Sequence, residues 1–248
     1  MNFLYITIVT FLITSCASIK DPLISVSDEK ARMILTKAME AHGGLDRWQK
    51  IDYLAFNKWY ALYGASGNEE VNVYQHHHYT PEKIYMSWNE DEDKIEQSGV
   101  GLIYRKYKNG HPYPNASQSS IKNSILASTF VVNLPFNLMD QGARISYEGE
   151  TTFNGKAVYV IQAAYFPETE QHHTTKDVWW HYFDQESYIS QGYKVQHLDH
   201  ISLVENHSFV AVQGFTLPAK RISYRVNEAS EKLYLRAAYE YSNYKIKL

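Results

Sequence analysis

Residues 144–164 read RISYEGETTFNGKAVYVIQAA: two runs rich in β-branched and aromatic residues on either side of Asn154-Gly155. Asn-Gly is a preferred pair for a two-residue type I′ turn, because both central positions need positive φ. The stretch predicts an antiparallel hairpin of strands 144–152 and 156–164. The pattern recurs in both directions. Downstream, 176–183 and 188–197 flank Asp184-Gln185-Glu186-Ser187, 201–212 and 215–225 flank Gln213-Gly214, and 232–244 closes the series. Upstream, 51–63, 69–79, 83–88, 93–97 and 101–108 alternate with period two, and Asn109-Gly110 ends that block with turn chemistry. Consecutive hairpins imply antiparallel pairing throughout.

Composition agrees. The 248 residues include 21 Tyr, 10 Phe and 5 Trp, and aromatic side chains suit pleated, half-buried surfaces. Net charge is −3 with both signs interspersed, which excludes the basic footprint of a nucleic-acid binder. No repeat, low-complexity tract or Pro/Gly-rich linker divides the chain, so 28–248 is expected to be one domain.

Two helical segments interrupt the strands. The first spans 28–41, with Ser27 as N-cap, an apolar face of Ala31, Ile34, Leu35 and Ala38, and Gly43-Gly44 as the stop. A short turn over 45–50 then presents Trp48. The second spans 119–132 and ends before Pro135, which disfavours helix in the residue preceding it. An antiparallel sheet of this length must curl. The expected fold is mainly β (α+β): a curved antiparallel sheet of about 11 strands forming an unclosed half-barrel. An N-terminal helix and a mid-chain helical lid lie across its concave face.

The N-terminus carries a separate signal. Residues 3–15 (FLYITIVTFLITS) are uncharged and too short to span a bilayer as a helix, but they fit the apolar region of a secretory leader. The run ends in Ile13-Thr14-Ser15-Cys16, which resembles a bacterial lipobox. Cys16 is the chain's one cysteine and has no partner for an internal disulfide. The expectation is a lipoprotein signal peptide over 1–15, lipid attachment at Cys16 and a lipidated tether over 16–27. Ala17 is not the aspartate that retains lipoproteins at the inner membrane, so an outer-membrane, lipid-anchored location is expected, on its periplasmic face or the cell surface.

Several segments together resemble a family of Bacteroidetes lipoproteins similar to the outer-membrane lipoprotein-sorting (LolA/LolB-like) superfamily. They are AMEAHGGLDRWQKI (38–51), Leu134-Pro135-Phe136, YEGETTFNGK (147–156) and YFDQESY (182–188). The resemblance covers about residues 30–245. It implies an unclosed antiparallel barrel with helices as a lid and a cavity that, in the sorting proteins, holds acyl chains. It carries over no catalytic residues.

The most apolar stretch outside the leader contains Phe130, Leu134, Phe136, Leu138 and Met139. These are the candidate ligand-binding residues of a lid, with Met and Phe able to adapt to variable chains. The alternative is that they plug the barrel as core. Eleven histidines raise a different possibility. In His76-His77-His78 the outer two share one strand face and His77 points to the other. With His172-His173, His197, Asp199, His200 or His207 they could ligate zinc in a hydrolase, although solvated surface histidines explain them as well. No Gly-x-Ser-x-Gly elbow or Cys-His pair offers a nucleophile. The leading expectation is a binding protein and not an enzyme, without cofactor or metal. Its expected partners are a lipid or a lipoprotein's acyl chain, and the membrane through Cys16. A filled core would instead mean a structural or sensory lipoprotein that binds another envelope protein.

Overall fold

The computed structural model describes residues 26–139, 143–165 and 177–248. The leader, Cys16, most of the tether and His172-His173 lie outside the described residues, as does the side chain of Met139. Helix α1 (Glu29–Ala41) and the single turn α2 (Leu45–Trp48) precede β1 (Tyr53–Tyr63), β2 (Glu69–Tyr79), β3 (Lys83–Glu90), β4 (Asp93–Val100), β5 (Ile103–Lys108) and β6 (His111–Pro112). Helix α3 (Gln118–Val132) and a 3-10 helix (Phe136–Met139) intervene. The chain continues with β7 (Ala143–Phe153), β8 (Lys156–Tyr165), β9 (Val178–Asp184), β10 (Ser190–Gln196), β11 (Ile201–Val212), β12 (Phe215–Val226) and β13 (Lys232–Lys247).

The strands form one antiparallel sheet, ordered β6-β5-β4-β3-β2-β1-β13-β12-β11-β10-β9-β8-β7. Two meanders are stitched together where β1 pairs with β13, Tyr53 opposite Lys247 and Leu62 opposite Ala237. Strands β6 and β7 sit at the two edges, so the barrel is unclosed, as expected. The sheet has thirteen strands, twelve of them matching the runs read from the sequence, against an expected total of about eleven. The unforeseen one is β6, two residues long and too short to show a period.

Burial follows the pleat. Ile161 and Ala163 of β8 face α1, where Ile34, Leu35 and Ala38 are fully buried against them and against Ile145, Phe183, Val195 and Val204. Ile121 and Ile125 of α3 pack on Met86, Trp88, Ile95 and Tyr104 at the other end of the same face. Cross-strand register carries that parity through Phe56 and His77 to Met86 and Gln97, so both helices cover one side of the sheet. Trp179 belongs to that inner core, whereas Trp180 packs on an outer cluster with Phe153, Tyr182 and Leu203.

Helix α1 starts one residue later than expected, with Asp28 and not Ser27 as N-cap. A carboxylate has two oxygens to offer. Oδ1 accepts from the Ala31 N–H at 3.0 Å, and Oδ2 accepts from the Tyr147 N–H of edge strand β7 at 2.8 Å. These bonds, that from Tyr147 foremost, hold the Asp28 carboxyl below its usual range. At the other end, Gly43 has φ +118°, and a Cβ there would lie 2.5 Å from Phe215 Cδ1 and 2.8 Å from the Gly214 carbonyl. Only glycine fits that approach of the helix stop to the β11–β12 turn.

His42, buried at the same junction, spans two strands. Its Nδ1 donates to the Thr216 carbonyl at 2.9 Å and its Nε2 accepts from the Ser190 N–H at 3.1 Å. Both nitrogens are used by a neutral ring, and burial pushes its pKa down to about 4. His77 is likewise buried, stacked on Phe56 at 4.6 Å, between Tyr79 Oη and Gln75 Oε1. His181 is buried too. Solvated surface histidines therefore describe His76 and His78 but not these three; for His42 and His77, a ring with both nitrogens satisfied costs little to bury.

Two outcomes follow. Asp28→Ala should lower stability by about 1–2 kcal/mol, the usual cost of a lost cap, with excess hydrogen exchange at Ala31 and Tyr147; unchanged exchange at Tyr147 would contradict the bridge. His42 has a folded pKa below its unfolded value, so as pH falls below about 6.5 the unfolded chain binds the proton first. Stability should fall between about pH 6.5 and 4 by up to about 1.4 kcal/mol per pH unit from this residue, with His77 adding in the same direction. Urea midpoints at pH 7.5 and 5 measure this, and His42→Gln should flatten the dependence; an equal slope in the variant would refute it.

Candidate functional site

Helix α3 and the turn α2 do not seal against the sheet where they meet. An apolar crevice of about 290 Å³ opens there, lined by Trp48, Ile51, Leu54, Tyr79, Ile84 and Leu126, with Thr129 and Asn133 at its helical wall. Its volume lies at the small end of the range for ligand sites, about 300–1,000 Å³. Tyr79 is the polar tip inside it. Its hydroxyl is bonded to His77 Nδ1 at 2.9 Å, and burial raises its pKa, so it stays a neutral phenol. Two larger hollows, each about 530 Å³, lie on the outer face. Charged side chains stand in their walls, Lys83, Glu96 and Arg105 in one and Lys245 beside Asn57 and His76 in the other, whereas the inner crevice has none. An apolar ligand is better served by the smaller inner crevice.

The candidate lid residues do not line this crevice, and Phe136 reaches it only through Trp48. Phe136 is 3% exposed and Leu138 1%, both in the core beneath α1. Phe136 stacks on Trp48 with centroids 4.5 Å apart and planes 12° from parallel, and Trp48 meets Phe215 edge-on at 5.5 Å. Trp48 thus clamps the 3-10 helix to β12. Phe130 and Leu134 are only partly buried, Phe130 against Trp179 at 4.8 Å. The Asn137 side chain donates back to the Phe130 carbonyl at 2.8 Å, folding the segment on itself. Helix α3 ends at Val132 with Asn133 as C-cap, as Pro135 required.

Sequence reasoning picked out the apolar segment 130–139 but not the crevice. Leu54, Ile84 and Leu126 look like ordinary strand or helix core residues, and only the tertiary seam leaves Ile84 and Leu126 partly uncovered. Trp48, an indole on a four-residue turn after a double-glycine stop, was the available signal.

His76 and His78 face outward, bonded to Asn57 Oδ1 at 2.8 Å and Tyr53 Oη at 2.9 Å. His197 pairs with Asp177 and His200 with Asp199. No group of three or more His, Cys, Asp or Glu among the described residues is arranged to hold a metal ion. The zinc-hydrolase alternative has no ligand set there. No helix among the described residues is long and apolar enough to cross a membrane.

No protein-family model matches the chain, and no curated protein matches it. Solved structures do. A LolA superfamily protein from Nitrosomonas europaea aligns with a TM-score of 0.54 at 11% identity, over 88% of this chain and 93% of that one. An outer-membrane lipoprotein-sorting protein domain from Vibrio parahaemolyticus gives 0.53 at 9% identity over the same shares. A DUF1329 family protein from Desulfovibrio piger gives 0.52 at 9% identity. At these identities the likeness is one of fold, and it does not reach the Bacteroidetes lipoproteins. The chain thus shares the overall fold of these three structures.

Proposed function

We propose that this chain is a lipid-binding lipoprotein of the bacterial envelope that shelters an acyl chain on the inner face of its half-barrel. It acts as a binding protein and not as an enzyme. The observation that carries the reading is the apolar crevice where α2 and α3 meet β1, β2 and β3. The likeness of the fold to lipoprotein-sorting proteins supports it. Burial of methylenes is non-directional, so chain identity should matter little. A chain placing roughly eight methylenes there would gain about 6 kcal/mol, a dissociation constant on the order of tens of micromolar.

In this reading the segment carrying Phe130, Leu134, Phe136, Leu138 and Met139 is the movable wall. The structure would be its closed state, with Trp48 as the contact that releases when a chain longer than the crevice enters. Cys16 would carry the acyl groups that tether the protein to the outer membrane, where two or more chains anchor stably.

Organic extracts of the purified protein, read by mass spectrometry, should contain an acyl lipid. Leu126→Trp, which fills the crevice, should reduce it at least tenfold while the melting temperature stays within a few degrees. Absence of acyl species from the wild type, or equal amounts in both, would contradict the proposal. Separately, Cys16→Ser should move the protein from the membrane to the soluble fraction; a variant that stays membrane-bound would refute the tether.

A further inference from the structure

The centre of the inner face is cationic. Lys58 of β1 and Arg221 of β12 lie on it, reached through the register Lys58–Tyr241 and Tyr239–Arg221 across β13. Arg221 is 3% exposed. Its Nη2 donates to Tyr193 Oη at 2.8 Å and its Nη1 to Tyr241 Oη at 3.3 Å. Its Nε–H is buried and has no hydrogen-bond partner. The guanidinium also sits 5.4 Å from the Tyr193 ring and 5.7 Å from that of Tyr239. The Lys58 ammonium lies over the rings of Tyr60 and Tyr239, at 4.8 and 5.4 Å. It is enclosed by protein on most sides yet keeps accessible surface, as do Tyr60 and Tyr239. Solvent therefore reaches the Lys58 side of the cluster, while Arg221 lies behind it.

No carboxylate pairs with either cation among the described residues. A buried charge without a counter-ion is costly, and two like charges together cost more. Phenol rings offset part of this through their π faces. They do not supply the missing negative charge. Tyr193 and Tyr241 accept from Arg221, which leaves each O–H proton available to a further acceptor. Ammonium, an orphaned Nε–H and phenolic O–H groups thus lie together on the inner face, and every one of them is a donor.

We propose that this cluster is an anion subsite that binds the carboxylate or phosphate of an amphiphile between Lys58 and Arg221. The inference rests on the lipid-binding reading for the rest of the ligand. Leu54, in the apolar crevice, and Lys58 lie on the same face of β1, about 13 Å apart at the usual rise per residue. That span is within the length of an ordinary fatty acyl chain. A head group held at Lys58 would add affinity and direction that the crevice alone does not supply.

The groups facing Lys58 are Tyr60 on β1, Gln75 and His77 on β2, Tyr239 and Tyr241 on β13, and Arg221 on β12, with the Glu90 carboxylate of β3 beyond Tyr60. Burial, with Arg221 adding repulsion, pushes the Lys58 ammonium down to about 8, while burial keeps His77 neutral at that pH. A bound anion reverses the effect on Lys58. Binding near pH 8 should then take up about half a proton per site.

Calorimetry of the purified protein with oleate, oleyl alcohol and inorganic phosphate tests this, in buffers of different ionisation enthalpy. Oleate should bind at least tenfold tighter than the alcohol, with proton uptake at pH 8. Lys58→Met should abolish that preference and the uptake while leaving alcohol binding intact; Lys58→Arg should keep the preference. The proton uptake needs no variant, so a misfolded Lys58→Met would not spare the proposal. Equal affinity for acid and alcohol would overturn the anion subsite and leave the lipid reading standing. Phosphate binding that Lys58→Met removes, with neither oleate nor alcohol bound, would support the subsite and overturn the lipid reading. No binding of oleate or phosphate would overturn the subsite.

Discussion

The structure depends on burying one face of a sheet too long to stay flat. Each strand puts alternate side chains on the inner side, and a one-residue slip would move every one of them to the outer side. The inner side must then be covered, and the chain has two amphipathic segments to do it. Helix α1 covers the β7–β11 end, where its Ile34, Leu35 and Ala38 are fully buried. Helix α3 covers the β3–β5 end. Two straight helices do not seal one concave surface, and the seam between them falls over β1 and β2. Trp48 bridges that seam by contacting the 3-10 helix and β12 at once.

Function follows from where covering fails. The outer hollows are broader and carry charged side chains in their walls. The inner seam is narrow and apolar, and the uncovered centre beside it is lined by aromatic rings and cations. An amphiphile has the complementary division: a chain that gains by leaving water and a head group that needs donors. Apolar burial supplies affinity without discrimination, and charged hydrogen bonds supply direction.

The hairpins were legible because turn chemistry is local. Asn154-Gly155 and Gln213-Gly214 mark their own turns whatever the rest of the chain does. The stop of α1 and the end of α3 before Pro135 were legible for the same reason. The cap at Asp28 was not, since its second oxygen serves a strand 119 residues away. His77 was assigned to the opposite face from its neighbours correctly, but its burial depended on Phe56 across the strand pair. The lid stretch announced itself by composition. The crevice and the Lys58–Arg221 cluster did not, because a lone cation in a strand looks solvated until register sets it beside another. Arg221 and Lys58 are 163 positions apart, and only the closure of β1 on β13 and β12 brings them to one hollow.

The claim on which this account stands is that the inner face receives an acyl chain at the seam. A crystal structure grown with an ω-brominated fatty acid locates that chain directly through the anomalous signal of bromine. The account predicts bromine beside Trp48, Leu54 and Leu126, with Phe136 displaced or retained according to chain length. Bromine found only on the outer face, or an inner seam unchanged at saturating ligand, would contradict it.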